Sequence, residues 1–153
     1  MYDPPSPVMP PEFVALFFGT FFVSSILIAA LVYAVQALAL MFFFKRVGVE
    51  PWKAWVPFYN VWVWLEVGGQ PGWLVLLALI PGGSIVTFVF LCIGMYRTGL
   101  AFGREGAWVV LAVFAPVVWL FVMAFAEHRY RPEVFAQNGW QGPYAGHGRR
   151  NPV

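Results

Sequence analysis

Between Phe13 and Phe44 the chain runs for 32 residues without a charged side chain. An α-helix rises about 1.5 Å per residue, so this run can reach roughly 48 Å, whereas the hydrocarbon core of a bilayer is about 30 Å thick. Two further uncharged stretches follow, at Val67–Tyr96 and Gly106–Ala126. The three stretches together predict an all-α integral membrane protein.

The composition excludes several other classes of protein. Apolar residues make up 61% of the chain and charged residues 10%, against about 25% charged in an average soluble domain. The net charge is only +2, and the nine Lys and Arg are scattered. We therefore expect no nucleic-acid partner, because no basic stripe could neutralise a run of phosphates. A single cysteine, Cys92, excludes disulfide frameworks and multi-cysteine metal sites within the chain.

The first apolar run predicts a transmembrane helix over residues 13–44. It follows a proline-rich stretch, residues 1–12, that lacks the cationic start of a signal peptide and is expected to be a disordered arm. Alanines at positions 30, 34 and 37 form a small-residue stripe of the kind that lets helices approach closely in lipid. Gln36 is the strongly polar side chain in the run. It can be interpreted as a hydrogen-bond partner for a neighbouring helix or as a substrate contact.

A short helix is expected at residues 57–67, within an aromatic stretch that follows two basic residues. Pro57 suits the first turn of a helix, and Gly68 and Gly69 can end it. About eleven residues are too few to span a bilayer, and Trp and Tyr favour the headgroup level. The sequence therefore predicts an interfacial helix here.

The third apolar segment, residues 73–96, contains Pro81-Gly82-Gly83 near its middle. Proline removes one backbone hydrogen bond and the glycines weaken the next turn. One interpretation is a single spanning helix kinked at this break. The alternative is a re-entrant hairpin followed by a span, since broken helices occur at membrane depth where protein covers the freed backbone groups.

The last apolar segment, residues 106–126, is long enough to cross once. The polar residues 132–153 that follow are expected to be disordered. Three spans with the N-terminus outside and the C-terminus inside place seven of the nine Lys and Arg in the cytoplasm, in agreement with the positive-inside rule. Arg97 and Arg104 lie on the opposite side in this arrangement.

Residues that could perform catalysis are scarce. The two histidines lack a second metal ligand at suitable spacing, and no serine has an evident base, so we expect neither a metal site nor a cofactor. The carboxylates fall at segment ends or in loops, so a relay of buried acids is not expected. Glu66, beside Gly68 and Gly69, is the carboxylate of most interest, with a solvated interfacial charge as its simpler interpretation. Ser84 lies at the break and has no obvious partner.

One sequence pattern is more specific than composition. From Phe44 the chain reads FKRVGVEPWKAWVPFYN, and it continues with GQPGW at 69–73, IP at 80–81 and FGR at 102–104. This pattern resembles a family of uncharacterised bacterial multi-span membrane domains, a domain of unknown function. It is similar to the membrane module that precedes the catalytic part of some bacterial type I signal peptidases. The resemblance covers roughly residues 40–130.

The resemblance implies a location in the bacterial cytoplasmic membrane and an association with protein-export components. It does not imply a catalytic role. Two positions depart from the pattern: Leu74 replaces a second tryptophan, and Ser84 replaces an asparagine at the break. A serine has fewer hydrogen-bonding atoms than an asparagine, so Ser84 can supply only part of such a contact. The positions that match the pattern are Gly48, Trp52, Pro57, Tyr59, Asn60, Pro71, Gly72, Trp73, Pro81 and Gly103.

The preferred functional hypothesis is a small non-enzymatic membrane protein, an accessory or scaffold subunit acting through helix–helix contacts. The alternative is an oligomeric small-solute transporter or channel built around the break at Pro81–Gly83, and a membrane hydrolase ranks third. Expected partners are the lipid bilayer and a membrane protein or a second copy of the chain. The candidate contact residues are Asn60, Tyr59, Glu66, Gln36 and Ser84.

Overall fold

The computed structural model describes residues 10–143, which form helices and turns without a β-strand in that range. The predicted all-α class is therefore confirmed for this part of the chain. Two of the helices are long and apolar enough to cross a membrane, Pro11–Val47 and Gly83–Ala101. The α-helices are α1 (Pro11–Val47), α2 (Tyr59–Val67), α3 (Gly83–Ala101), α4 (Val109–Phe114), α5 (Pro116–Ala124) and α6 (Glu133–Gln137), and 3₁₀ helices occupy Pro51–Trp55, Gly72–Leu79 and Gly106–Trp108.

The chain divides after Ala34 into two compact units. The described part of the first unit is the N-terminal part of α1, where every residue from Pro11 to Val32 is exposed. The helix begins at Pro11, inside the predicted arm, since proline is well tolerated in a first helical turn. The rest of the arm, residues 1–9, lies outside the described residues.

The second unit, from Val35 onward, has a core built from aromatic and aliphatic side chains of several helices. Phe43 near the end of α1 is central: its ring lies 6.4 Å from Phe102 and 5.8 Å from Trp119. All three side chains are fully buried. Burial of aromatic rings this large contributes strongly to stability, so the C-terminal part of α1 is an integral part of this core.

Helix α2 lies where a short helix is predicted, but it starts two residues later. Phe58 takes a φ of +61°, a backbone conformation that L residues rarely adopt and that interrupts the helix after Pro57. At the other end, Gly68 packs on α3 at Gly94: a Cβ on Gly94 would lie 3.1 Å from the Cα of Gly68. The two glycines therefore allow a close helix contact. The interfacial position of α2 stays a prediction.

Residues 72–101 form a helical hairpin, called the first hairpin below, where the sequence favoured one kinked helix over 73–96. The Gly72–Leu79 3₁₀ helix packs beside α3, and the Thr87 hydroxyl donates a hydrogen bond to the carbonyl of Leu74 (2.8 Å). Gly82, with a φ of +82°, makes the reversal possible because glycine has no Cβ to clash. The Pro81–Gly83 break thus folds the segment back on itself, which is the first part of the alternative interpretation.

Residues 106–124 form the second hairpin, where one span over 106–126 was expected. Pro116 cannot donate the next helical hydrogen bond, and Ala115 before it has a non-helical φ of −143° and ψ of 68°. A straight helix of this length would separate its ends by about 30 Å. Instead, a Cβ on Gly103 would lie 3.7 Å from Cδ2 of His128. The residues that precede and follow the second hairpin therefore lie next to each other.

The described part of the polar C-terminal segment contains helix α6 (Glu133–Gln137), and the disorder expected from Pro132 stays a prediction. Phe135 of α6 is fully buried, and its ring packs edge-on against Trp140 with centroids 6.0 Å apart. Arg97 of α3 lies 5.2 Å from the centre of the Trp140 ring. Two aromatic anchors thus attach residues 132–143 to the core. The prediction for residues 144–153 lies outside the described residues.

Candidate functional site

Three chain segments meet at a charged surface that we call the basic end: the end of α1, the turn after α3 and the segment after α5. The Arg46 guanidinium donates hydrogen bonds to the carbonyls of Ala126 and His128. The Arg131 N–H donates to the carbonyl of Ala101 (2.9 Å). The bond to Ala101 satisfies a carbonyl at the end of α3, where a helix has no partner of its own. The Arg46 bonds connect the end of α1 to the segment after α5, so the basic end is fixed as one structure.

A cleft of about 840 Å³ opens at the basic end. Three guanidinium groups and two carboxylates line it, so its charge balance is positive. Arginine presents planar, fork-like donors that match phosphate and carboxylate groups, and the cleft is therefore suited to an anionic group. The charged lining residues are Arg46, Arg129, Arg131, Glu127 and Glu133.

Tyr130 lies beside this cleft with its ring against Phe102, 5.1 Å between centroids. Its hydroxyl is buried and finds no hydrogen-bond partner among the described residues. Burial, and secondly the negative charge of Glu133, raise the pKa of the Tyr130 hydroxyl far above its usual value. The Tyr130 hydroxyl therefore keeps its proton to a higher pH than an exposed tyrosine does.

Asn60 is 3% exposed, and its side chain is used within the fold. Its amide donates to the carbonyl of Ala54 (3.3 Å), and its Oδ1 accepts from the N–H of Val61 (2.7 Å). Tyr59 is half-buried and stacks on Trp52 with ring centroids 6.3 Å apart. Both residues connect the first turn of α2 to the Pro51–Trp55 turn.

Glu66 is half-buried and accepts a hydrogen bond from the indole N–H of Trp62, one turn earlier on α2 (2.7 Å). It also lines a small cavity of about 180 Å³ beside Gln70 and Gln141. The hydrogen bond from the Trp62 indole fixes the position of the Glu66 carboxylate, and two glutamine side chains line the same cavity. The cavity is large enough for a few water molecules.

The other two predicted contact residues lie on different helices. Gln36 is half-buried on α1, at the start of the second unit. Ser84 is exposed in the first turn of α3, next to the break. Of the five predicted residues, three lie on α2, whereas the basic end was not predicted as a site. Its arginines were visible in the sequence at helix ends, but their meeting depends on the path of the second hairpin.

Within the described residues, no group of three or more His, Cys, Asp or Glu side chains could hold a metal ion. This part of the chain is thus an all-helical fold with two helices able to cross a membrane and a positively charged cleft. The chain belongs to a family of unknown function, DUF5684, whose family model matches residues 52–132. That match runs from the Pro51–Trp55 turn to the basic end. Neither a curated protein nor a solved structure matches the chain.

Proposed function

We propose that this chain is a non-enzymatic integral membrane protein, an accessory or scaffold subunit that binds another membrane protein through α1. One observation carries the proposal: every side chain from Pro11 to Val32 is exposed, and the run from Phe13 to Phe44 contains no charged residue. Exposed apolar area costs about 25 cal/mol per Å² in water. Lipid and a partner protein are the two environments that remove this cost.

A small-residue face on α1 supports a protein partner in addition to lipid. Ala15 and Gly19 lie one turn apart beside a shallow groove of about 360 Å³ that also includes Thr20 and Val23. No atom lies within 4 Å of the position that a Cβ on Gly19 would occupy. Small residues four apart let a second helix approach closely in lipid, where packing and not the hydrophobic effect drives association.

The resemblance to a module found before some type I signal peptidases supports a place near protein export in a bacterial cytoplasmic membrane. The cationic side chains of the basic end favour a cytoplasmic location for that end of the second unit. With α1 crossing the bilayer, the N-terminus then lies outside and the C-terminal segment inside.

In-cell photocrosslinking tests the proposal. A photoreactive residue at Val23, beside the groove, is compared with one at Phe21, about 160° further round from Val23 on the same helix. We expect a discrete adduct to another membrane protein from position 23 and a weaker one from position 21. Gly19→Leu should abolish the adduct and co-purification in mild detergent, whereas Phe21→Leu should preserve both.

Other outcomes of this experiment contradict the proposal. Adducts to lipid alone would show that α1 is only an anchor. Adducts to a second copy of the chain would favour the oligomeric carrier, and solute flux into proteoliposomes would then be the decisive measurement.

A further inference from the structure

Both hairpins of the second unit start and finish at the same end of α3, and their turns are apolar. From this geometry we propose that the first hairpin (72–101) and the second hairpin (106–124) enter one leaflet of the bilayer and return, without crossing it. The surface that contacts lipid is then the outer face of both hairpins, and its partner is the acyl region of a single leaflet. This inference rests on the membrane insertion proposed above but not on the scaffold role.

The first hairpin begins and ends beside the last turns of α3. The guanidinium of Arg97 donates a hydrogen bond to the carbonyl of Gly69 (3.2 Å), so the chain before the hairpin touches its final turns. The second hairpin is bracketed in the same way by Gly103 and His128, which are neighbours. Both hairpins therefore extend from one polar surface.

The whole of α3 is long enough to cross a membrane, but the part of each hairpin beyond its charged end is too short to reach the far side. Fourteen residues separate Gly83 from Arg97, or about 21 Å of helix, and the hydrocarbon core is about 30 Å thick. Eight residues separate Gly106 from Phe114, or about 12 Å. Each hairpin thus ends within the bilayer core when its charged end is held at the surface.

The turns carry apolar side chains where a full span would carry interfacial ones. Phe114 is 84% exposed at the turn of the second hairpin, and Leu79 and Ile80 are 67% and 59% exposed at the turn of the first. Residues 76–86 and 110–118 contain no charged residue, Trp or Tyr. Spanning segments usually carry such residues at both membrane surfaces. The composition of these turns is therefore suited to the hydrocarbon core.

The aromatic anchors lie at the opposite ends of the hairpins. Trp108, which precedes α4, has the guanidinium of Arg104 4.8 Å from its ring centre. Trp140 has the guanidinium of Arg97 5.2 Å away. Indole rings paired with arginines are suited to the headgroup level of one leaflet.

Backbone groups at the first turn are also satisfied, as the interior of a bilayer requires. The N–H of Ile80 donates to the carbonyl of Leu77 (3.0 Å), and the N–H of Gly83 donates to the carbonyl of Ile80 (2.9 Å). Deeper in the hairpin, Thr87 covers the carbonyl of Leu74. The break can therefore lie in hydrocarbon without exposing these polar groups.

This arrangement also resolves the distribution of positive charge. Three spans would leave Arg97 and Arg104 on the side opposite to the remaining Lys and Arg. With two re-entrant hairpins, both arginines face the same side as Arg46 and Arg131, beside which the structure places the turn after α3. The positive-inside rule then holds for every Lys and Arg from Lys45 to Arg131.

Cysteine labelling in membrane vesicles tests the inference. In a Cys92→Ala background, Glu105→Cys and Glu127→Cys place matched, exposed thiols before and after the second hairpin, and Phe114→Cys places one at its turn. We expect a membrane-impermeant maleimide to label positions 105 and 127 in the same vesicle orientation, right-side-out or inverted. The thiol at position 114 should not be labelled in either vesicle orientation, and it should be labelled after the vesicles are dissolved in SDS.

Labelling of positions 105 and 127 from opposite faces would overturn the inference, as would labelling of position 114 from the face opposite to 127. Carbonate extraction is done first on the same vesicles. Release of the protein by carbonate would contradict membrane insertion itself, so the two failures are distinguishable. The 105 and 127 thiols lie on exposed positions outside the helices, which keeps the comparison valid if the Phe114 variant misfolds.

Discussion

The N-terminal part of α1 and helix α3 are both apolar, but only α3 contains buried residues. Each helix contains a glycine in its apolar face, and the two environments differ. Gly94 of α3 meets the backbone of Gly68, whereas Gly19 of α1 meets nothing within 4 Å. The same residue type therefore marks a completed helix contact in one helix and an unoccupied one in the other.

The largest expected effect comes from removing the central aromatic ring of the packed unit. Trp119→Ala should lower the free energy of unfolding by about 3–5 kcal/mol, because it leaves a cavity beside Phe43 that the core cannot fill. Phe17→Ala in the exposed part of α1 removes a ring of comparable size and should change little. Thermal unfolding of the detergent-solubilised variants, followed by circular dichroism, measures both. Equal losses would show that the two regions are equally packed.

The second prediction compares the two glycines directly. Gly94→Leu should destabilise the protein by about 1–3 kcal/mol, because the new side chain must displace the backbone of Gly68 at the end of α2. Gly19→Leu adds the same side chain to α1 and should leave the unfolding temperature unchanged, although it should disrupt partner binding. A destabilised Gly19→Leu variant would mean that this face of α1 is already occupied within the monomer.

The sequence predicted the lengths and positions of the apolar segments but not their paths. Pro81 was recognised as a break in a helix, and Pro57 as a residue suited to the first turn of one. Whether a break kinks a helix or reverses it depends on contacts between distant residues, such as Thr87 with Leu74 and Gly103 with His128. Those contacts leave no periodic signal in a single sequence.

The same reasoning explains the outcome for the site residues. Asn60 is conspicuous as a polar residue among aromatics, and the structure uses it inside the fold. The arginines of the basic end are ordinary as isolated charges at helix ends. They form a cleft only because the second hairpin returns the chain to α1. Local sequence therefore identifies unusual residues more readily than it identifies residues that meet.

A smaller effect is expected at the hydrogen bond inside the first hairpin. Thr87→Val removes the donor to the carbonyl of Leu74 and should cost about 1 kcal/mol. Thr20→Val, the matched change in the exposed part of α1, should cost almost nothing. The same unfolding measurement applies. A Thr87→Val variant with unchanged stability would show that the two helical arms of the hairpin are held together by packing alone.

The smallest change in the free energy of unfolding at neutral pH is expected for Tyr130→Phe, and this change increases at alkaline pH. The Tyr130 hydroxyl has no partner among the described residues, so Tyr130→Phe should change the free energy of unfolding by less than about 0.5 kcal/mol at pH 7. In the folded state, the pKa of this hydroxyl is raised above the value of about 10 that an unfolded chain gives it.

The unfolded chain therefore releases the Tyr130 proton first as the pH rises. The stability that the protonated hydroxyl contributes is complete below pH 10 or so and is lost progressively above it. The variant lacks this group, so its unfolding free energy should decline less steeply between neutral and alkaline pH than that of the unsubstituted protein. Taking the difference between the two pH curves cancels the titration of the other tyrosines and of the lysines. Parallel curves would show that water reaches the hydroxyl in the folded protein, and hence that the cleft at the basic end extends inward to the ring of Phe102.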